Sequence, residues 1–320
     1  MTVRLLAAML LVLPSLVQAQ TESEHPKVSL PNTEVRDLHS EIVDQDFSIS
    51  IGRPFGPPRS PAKTYPVIYV LDADIGFPIV RLTALSLQDG GELPPALIVG
   101  IGYAGGFMEG MGKRNRDFTP TPDPVFMKYM GRGGPSGGAD KFLRFIREEL
   151  KPFIESNYPA DPEDATVVGV SFGGLFATYT LLHEPDTFQR YIVGSPSLWW
   201  GDEVVFQYEK SFADTHDDLA ASVFVSAGGH ETTEHDEAFM AKMPDYMVKP
   251  MLEYTRAAGK TPQMVELVEP FVDVLAGRSY PSLDLTLHIF PGETHASAPP
   301  MVISRGLRVV FGTIQGAARD

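Results

Sequence analysis

The chain has 320 residues, of which 43% are hydrophobic and 21% charged, a composition that rules out global disorder and allows a sizeable core. Its 26 Lys and Arg against 41 Asp and Glu give a formal net charge of −15, which argues against nucleic acid as a partner, because phosphate binding needs a basic surface. The lack of cysteine excludes disulfide scaffolds, iron–sulfur clusters, Cys-ligated zinc and a cysteine nucleophile.

Residues 1–19 have the pattern of a secretory signal: Arg4 as a short positive region, an apolar run from Leu5 to Leu13, Pro14, and small residues at Val17-Gln18-Ala19. The run is shorter than the about 20 residues a bilayer-spanning helix needs, and no later stretch qualifies. The expectation is a periplasmic or secreted protein with no membrane span once the signal is cleaved. Residues 20–37, polar and carrying Pro26 and Pro31, read as a mobile leader to a single domain over 38–320.

Apolar and polar residues alternate over 38–51, at Ile42, Phe47, Ile49 and Ile51, as in a half-buried strand. Residues 52–64 form a Pro-rich loop. Val67 to Leu71, Ala96 to Ile101 and Ala165 to Val170 are continuous apolar runs, the pattern of strands buried on both faces. Further strands are expected at Tyr191 to Val193, Val223 to Ser226 and Leu285 to Phe290. Helices are expected at 76–88, 139–157, 172–183, 237–258 and 297–316, whereas 103–138 is Gly/Pro-rich with little periodicity. Buried strands alternating with helices imply an α/β fold with a mainly parallel central sheet and helices on both faces. Catalytic groups of such sheets gather beyond the carboxyl ends of the strands.

Beyond the third buried strand lies Gly169-Val170-Ser171-Phe172-Gly173-Gly174. This is G-x-S-x-G between a strand and a helix, a turn sharp enough to expose the serine hydroxyl at the top of the sheet. The Phe172 amide would point at a developing oxyanion, and a second amide would come from Ala73 or Asp74, after the strand ending at Leu71. A serine hydroxyl needs a base, and the partners in this architecture follow in the order Ser, acid, His. His295 lies in the loop directly after the last strand. His25, His39 and His183 fall at surface positions, and His288 lies inside a strand. Glu231 is the first carboxylate after Val223–Ser226, with Glu234, Asp236 and Glu237 as rivals, Asp236 foremost. A carboxylate there would orient the imidazole. His230-Glu231-Thr232-Thr233-Glu234-His235 looks like a zinc motif but fails on spacing, since H-E-x-x-H needs its second His at 234. No metal and no organic cofactor is expected.

Taken together, these residues resemble the putative-esterase family of α/β-hydrolases, which includes siderophore esterases, feruloyl esterases, esterase D and the mycolyltransferases. The resemblance covers roughly 40–316. It rests on Val67-Ile68-Tyr69-Val70-Leu71-Asp72, Val99-Gly100-Ile101-Gly102-Tyr103, Arg114-Asn115-Arg116-Asp117-Phe118-Thr119-Pro120, the serine motif, Ser195-Pro196-Ser197-Leu198-Trp199-Trp200 and Gly292-Glu293-Thr294-His295. The Arg-containing and Trp-containing segments are most similar to the siderophore-esterase branch. The resemblance implies an α/β-hydrolase fold, carboxylic-ester hydrolysis, Ser171 as nucleophile, His295 as base and Glu231 as acid.

By analogy, Lys113, Arg114 and Arg116 would face the site and hold an anionic or catecholate group. The alternative is ordinary pairing with carboxylates such as Asp117. Trp199 and Trp200 would line the acyl pocket or pack beneath it. The segments 201–222 and 232–280 exceed a minimal fold and would form a cap. The same triad also suits an acyltransferase, and two further readings are a non-catalytic ligand-binding protein and a metallohydrolase built on His230 and His235.

Overall fold

A computed structural model of the chain describes residues 28–59, 63–131, 134–259 and 262–313, apart from the side chains of Phe107, Asp236, Phe239 and Met247. The segment 1–19 lies outside the described residues. From Pro31 onward the described residues form one compact unit.

Eight strands form one sheet: β1 (Thr33–Ser40), β2 (Gln45–Gly52), β3 (Tyr65–Leu71), β4 (Leu97–Tyr103), β5 (Ala160–Val170), β6 (Arg190–Gly194), β7 (Ala221–Gly228) and β8 (Leu283–Phe290). Their spatial order is β1-β2-β4-β3-β5-β6-β7-β8. β1 pairs antiparallel with β2, and β2 with β4, whereas every later pair is parallel. This is the α/β-hydrolase architecture, and the buried apolar runs of β3, β4 and β5 occupy its centre. Alternate residues of each strand serve opposite faces. In β3, Val67, Tyr69 and Leu71 join one core with Phe142, Phe176 and Phe271, while Ile68 and Val70 lie outside that cluster.

The helices are α1 (Ala73–Asp89), α2 (Gly106–Asp117), α3 (Pro124–Tyr129), α4 (Ala139–Phe145), α5 (Lys151–Asn157), α6 (Phe172–His183), α7 (Trp200–Ala213), α8 (Thr233–Met240), α9 (Asp245–Ala258), α10 (Val265–Gly277) and α11 (Ala298–Val310). α1 and α11 pack together on one face, while α4, α6, α7 and α10 cover the other. A single π-helical turn (Ile146–Leu150) joins α4 to α5, so the amphipathic stretch 139–157 runs unbroken. None of the described helices is long and apolar enough to cross a membrane.

Four expectations change. Residues 33–37, assigned to the leader, belong to β1, and 38–51 is the end of β1, a turn, and β2 rather than one strand. β1 is an edge strand whose residues are mostly solvated, so it has no apolar alternation to read, whereas Phe47, Ile49 and Ile51 of β2 are fully buried. Within 103–138 the chain forms α2 and α3. The segment 201–222 is mostly α7 and packs on α6 instead of covering the site: Phe206 meets Phe271 edge-on at 5.7 Å, and Arg278 donates to both oxygens of buried Glu209 at 2.7 and 2.8 Å.

Candidate active site

The turn after β5 places Ser171 at φ 61°, ψ −121°, a region that L-residues rarely adopt. The flanking glycines make this possible. A Cβ on Gly169 would lie 2.2 Å from the Gly173 carbonyl oxygen, and one on Gly174 would lie 2.8 Å from the Gly194 oxygen. Backbone bonds fix the turn: the Ser171 amide donates to the Gly194 oxygen at 3.0 Å, and the Ser197 amide donates to the Ser171 oxygen at 3.2 Å.

β7 and β8 are neighbours, so the loops leaving their carboxyl ends meet. The Gly229 amide donates to the Phe290 oxygen at 2.7 Å, and the His230 amide to the Glu293 oxygen at 2.9 Å. This stitching brings His295 Nδ1 to 2.6 Å from Glu231 Oε2. The other oxygen, Oε1, accepts from Ser195 Oγ at 2.6 Å and from the Gly228 amide at 2.7 Å. Glu231 is only 2% exposed. Burial pushes its carboxyl up, but the hydrogen bond and charge of His295, the Ser195 hydroxyl and the Gly228 amide outweigh burial and leave it below the ordinary value. The ionised carboxylate accepts, so Nδ1 carries the proton and Nε2 is left as the basic nitrogen. Glu234 and Glu237 are exposed, and the side chain of Asp236 lies outside the described residues.

β3 and β5 are also neighbours, so the first turns of α1 and α6 stand side by side. A Cβ on Gly173 would come within 3.5 Å of the Leu71 side chain and 3.6 Å of Asp72 Oδ2. The amides of Ala73 and Phe172 open these two helices and have no acceptor within them. Asp74 follows as the second residue of α1, its side chain in solvent.

Ser171, Glu231 and His295 line one cavity of about 520 Å³. Phe126, Phe172 and Trp199 form its aromatic wall. Six methionines, Met111, Met130, Met240, Met243, Met251 and Met264, form much of the rest. Of the stretch 232–280, α8 and α9 cover the cavity, whereas α10 packs on β7 and β8. Tyr254 of α9, 1% exposed, anchors the cover by meeting Phe126 edge-on at 5.5 Å.

Trp200 does not reach the cavity. It is fully buried behind Phe126 and Phe172, and its indole N–H donates to the backbone and side-chain oxygens of Thr121 at 3.1 Å. Arg116 also turns away, donating to Asp117 at 2.6 Å and Gln45 at 2.8 Å, because a carboxylate only 1% exposed needs a cation beside it. Arg114 does line the cavity, but its Nε and Nη2 are engaged by Asp72 Oδ1 and Oδ2 at 2.5 and 2.9 Å. His230 and His235 stack face to face at 4.0 Å, and the described residues contain no group of three potential metal ligands.

Ser195 escaped the sequence reading as a functional residue. The only signal in the sequence was a serine directly after the apolar run of β6; the structure shows it in left-handed backbone at φ 39°, where it gives the buried carboxylate a second donor. Gly228 escaped as well: a Cβ there would lie 2.4 Å from the Glu293 oxygen and would force the two loops apart.

Residues 40–251 match the model of a family described as "Putative esterase". The chain belongs to this family. It is a carboxylic-ester hydrolase with the α/β-hydrolase fold. The ferri-bacillibactin esterase BesA of Bacillus subtilis is 34% identical to this esterase over 291 residues, covering 88% of this chain and 90% of the relative. The siderophore triacetylfusarinine C esterase of Aspergillus fumigatus is 29% identical over 77% of this chain and 81% of its own. Among solved structures, the BES protein of Bacillus cereus superposes with a TM-score of 0.71 at 28% identity, covering 90% of this esterase and 98% of that chain. The siderophore hydrolase EstB of Aspergillus nidulans shares the fold, with a TM-score of 0.70 at 22% identity and coverage of 91% and 99%.

Proposed function

We propose that this esterase is an exported serine hydrolase that cleaves the ester bonds of siderophores through an acyl-enzyme. One observation carries the mechanism: His295 Nδ1 sits 2.6 Å from the buried Glu231 carboxylate, on the same cavity as the strained Ser171. Ser171 Oγ attacks the ester carbonyl and passes its proton to Nε2 of His295. The imidazolium is stabilised by Glu231, whose second oxygen stays held by Ser195 and Gly228. The oxyanion of the tetrahedral intermediate accepts from the Phe172 amide and the amide of Ala73, with the Asp74 amide next in line. Collapse expels the alcohol, which takes the proton from His295, and water repeats the sequence on the acyl-enzyme. None of these steps routes through a cofactor.

The substrate reading is supported by the relatives named as esterases of ferri-bacillibactin and triacetylfusarinine C. It also draws on a cavity with an aromatic and thioether wall, suited to planar acyl groups. Export is supported by Arg4, the Leu5–Leu13 run and the small residues at 17–19. The test is hydrolysis of short p-nitrophenyl esters and of a catecholate trilactone by wild type and Ser171→Ala. Wild type is expected to cleave both, with the variant down about a thousandfold or more. Equal activity of the two proteins would remove the serine mechanism, and cleavage of only the simple ester would remove the siderophore assignment.

A further inference from the structure

Arg114 was expected to hold an anionic part of the substrate, but its surroundings give it a different task. The side chain reaches from the last turn of α2 and is 14% exposed. Both oxygens of Asp72 are taken by its Nε and Nη2, a planar two-point grip. Burial works against the guanidinium charge, but the neighbouring carboxylate more than offsets it, so Arg114 stays charged. The same guanidinium lies 5.5 Å from the centre of the Phe172 ring and 5.2 Å from that of Phe118.

Asp72 and Phe172 matter because of where they stand. Asp72 immediately precedes Ala73 and holds left-handed backbone, φ 55° and ψ 52°, which L-residues adopt only when their surroundings enforce it. Its ψ sets the plane of the Asp72–Ala73 peptide, and so the direction of the Ala73 N–H. Phe172 carries the other amide aimed at the oxyanion. One guanidinium therefore grips the residue that aims the first donor and lies against the side chain of the residue that supplies the second.

We propose that Arg114 is a positioning residue for the oxyanion site: through Asp72 and Phe172 it holds the two amide donors in register. The inference rests on the serine mechanism proposed above. With two of its donor nitrogens committed to Asp72, the guanidinium serves the geometry of the transition state rather than the affinity for the ground state.

The test compares Arg114→Lys, which keeps the charge but loses the two-point grip, with Asp72→Asn and the double variant. Readouts are kcat and KM on a neutral p-nitrophenyl ester and the affinity of an alkylboronic acid as a tetrahedral analogue, normalised to active sites titrated to completion. Each single variant is expected to lose about 10- to 100-fold in kcat with KM within about twofold, a loss smaller than removing a donor outright. Boronate affinity should fall in parallel, and the double variant should be no worse than the poorer single one. A raised KM at unchanged kcat would make Arg114 a substrate contact and overturn the proposal, as would unchanged kinetics. Asp72→Asn carries the test should Arg114→Lys fail to fold. Ser171→Ala, run alongside, separates the two levels. If it stays active, the serine mechanism fails and takes this inference with it. If it is inactive, the outcome for Arg114 stands by itself.

Discussion

Glu231 concentrates the demands on single residues. Its carboxylate is buried, ionised and shared among an imidazole, a hydroxyl and a backbone amide. Glu231→Gln keeps the volume but puts an N–H₂ where an acceptor is needed, opposite either His295 or the Ser195–Gly228 pair. The expected result is a drop in kcat of about a thousandfold or more at little cost in KM, read by steady-state kinetics. The same group makes a prediction about acid stability. Its folded pKa is depressed below the ordinary glutamate value, so its contribution to stability is fully present above that value and is lost as pH falls through the folded value. Urea titrations at pH 7, 4 and 3 should show wild type losing part of its stability at the acid end, and Glu231→Gln should lack that component. An equal pH dependence in both proteins would mean that the carboxylate is not held by these donors. Ser195 is the milder case: Ser195→Ala leaves Oε1 with the Gly228 amide alone, and destabilisation of about 1 kcal/mol is expected in the same titrations.

At the scale of elements, the serine turn and the α8–α9 cover behave differently. Gly169→Ala drives a methyl group against the Gly173 backbone, which cannot rotate away as a side chain would. Destabilisation of about 3 kcal/mol is expected, with loss of activity in whatever folds, measured by thermal melting and rate together. The cover is held partly by Tyr254 against Phe126, so Tyr254→Ala should raise KM several-fold while kcat moves little, because nothing at Ser171 changes. A kcat effect larger than the KM effect would tie α9 to the chemistry itself. These elements also mark what the sequence reveals. β3, β4 and β5 were legible because a strand buried on both faces has to be apolar throughout, and the serine turn was legible because its geometry tolerates so few residue types. The edge strand β1 was not, because with most of its residues solvated neither face demands apolar side chains. Trp200 and Arg116 show the same limit at single positions. Residue type announces that an indole or a guanidinium needs a partner, but only the fold decides whether that partner is a substrate, Thr121 or Asp117.

The whole molecule adds a field and a material. A formal net charge of −15 on the chain should oppose the approach of anionic esters. Raising ionic strength from about 10 mM to 150 mM shortens the screening length from about 30 Å to about 8 Å. The value of kcat/KM for an anionic ester, such as a p-nitrophenyl hemiester, should rise over that range while that for a neutral ester stays flat; identical salt responses would mean that the field does not reach Ser171. The material is sulfur. The chain has no thiol, yet six of its twelve methionines face one cavity. Peroxide, with no cysteine to consume it, acts on exposed thioethers and turns each into a polar, chiral sulfoxide. An oxidant would therefore rewrite the cavity wall while leaving Ser171, His295 and Glu231 intact. Hydrolysis of apolar esters should fall with sulfoxide content, followed by mass spectrometry, and return on treatment with methionine sulfoxide reductases, so that the rate on such esters becomes a gauge of the oxidative history of the enzyme's surroundings.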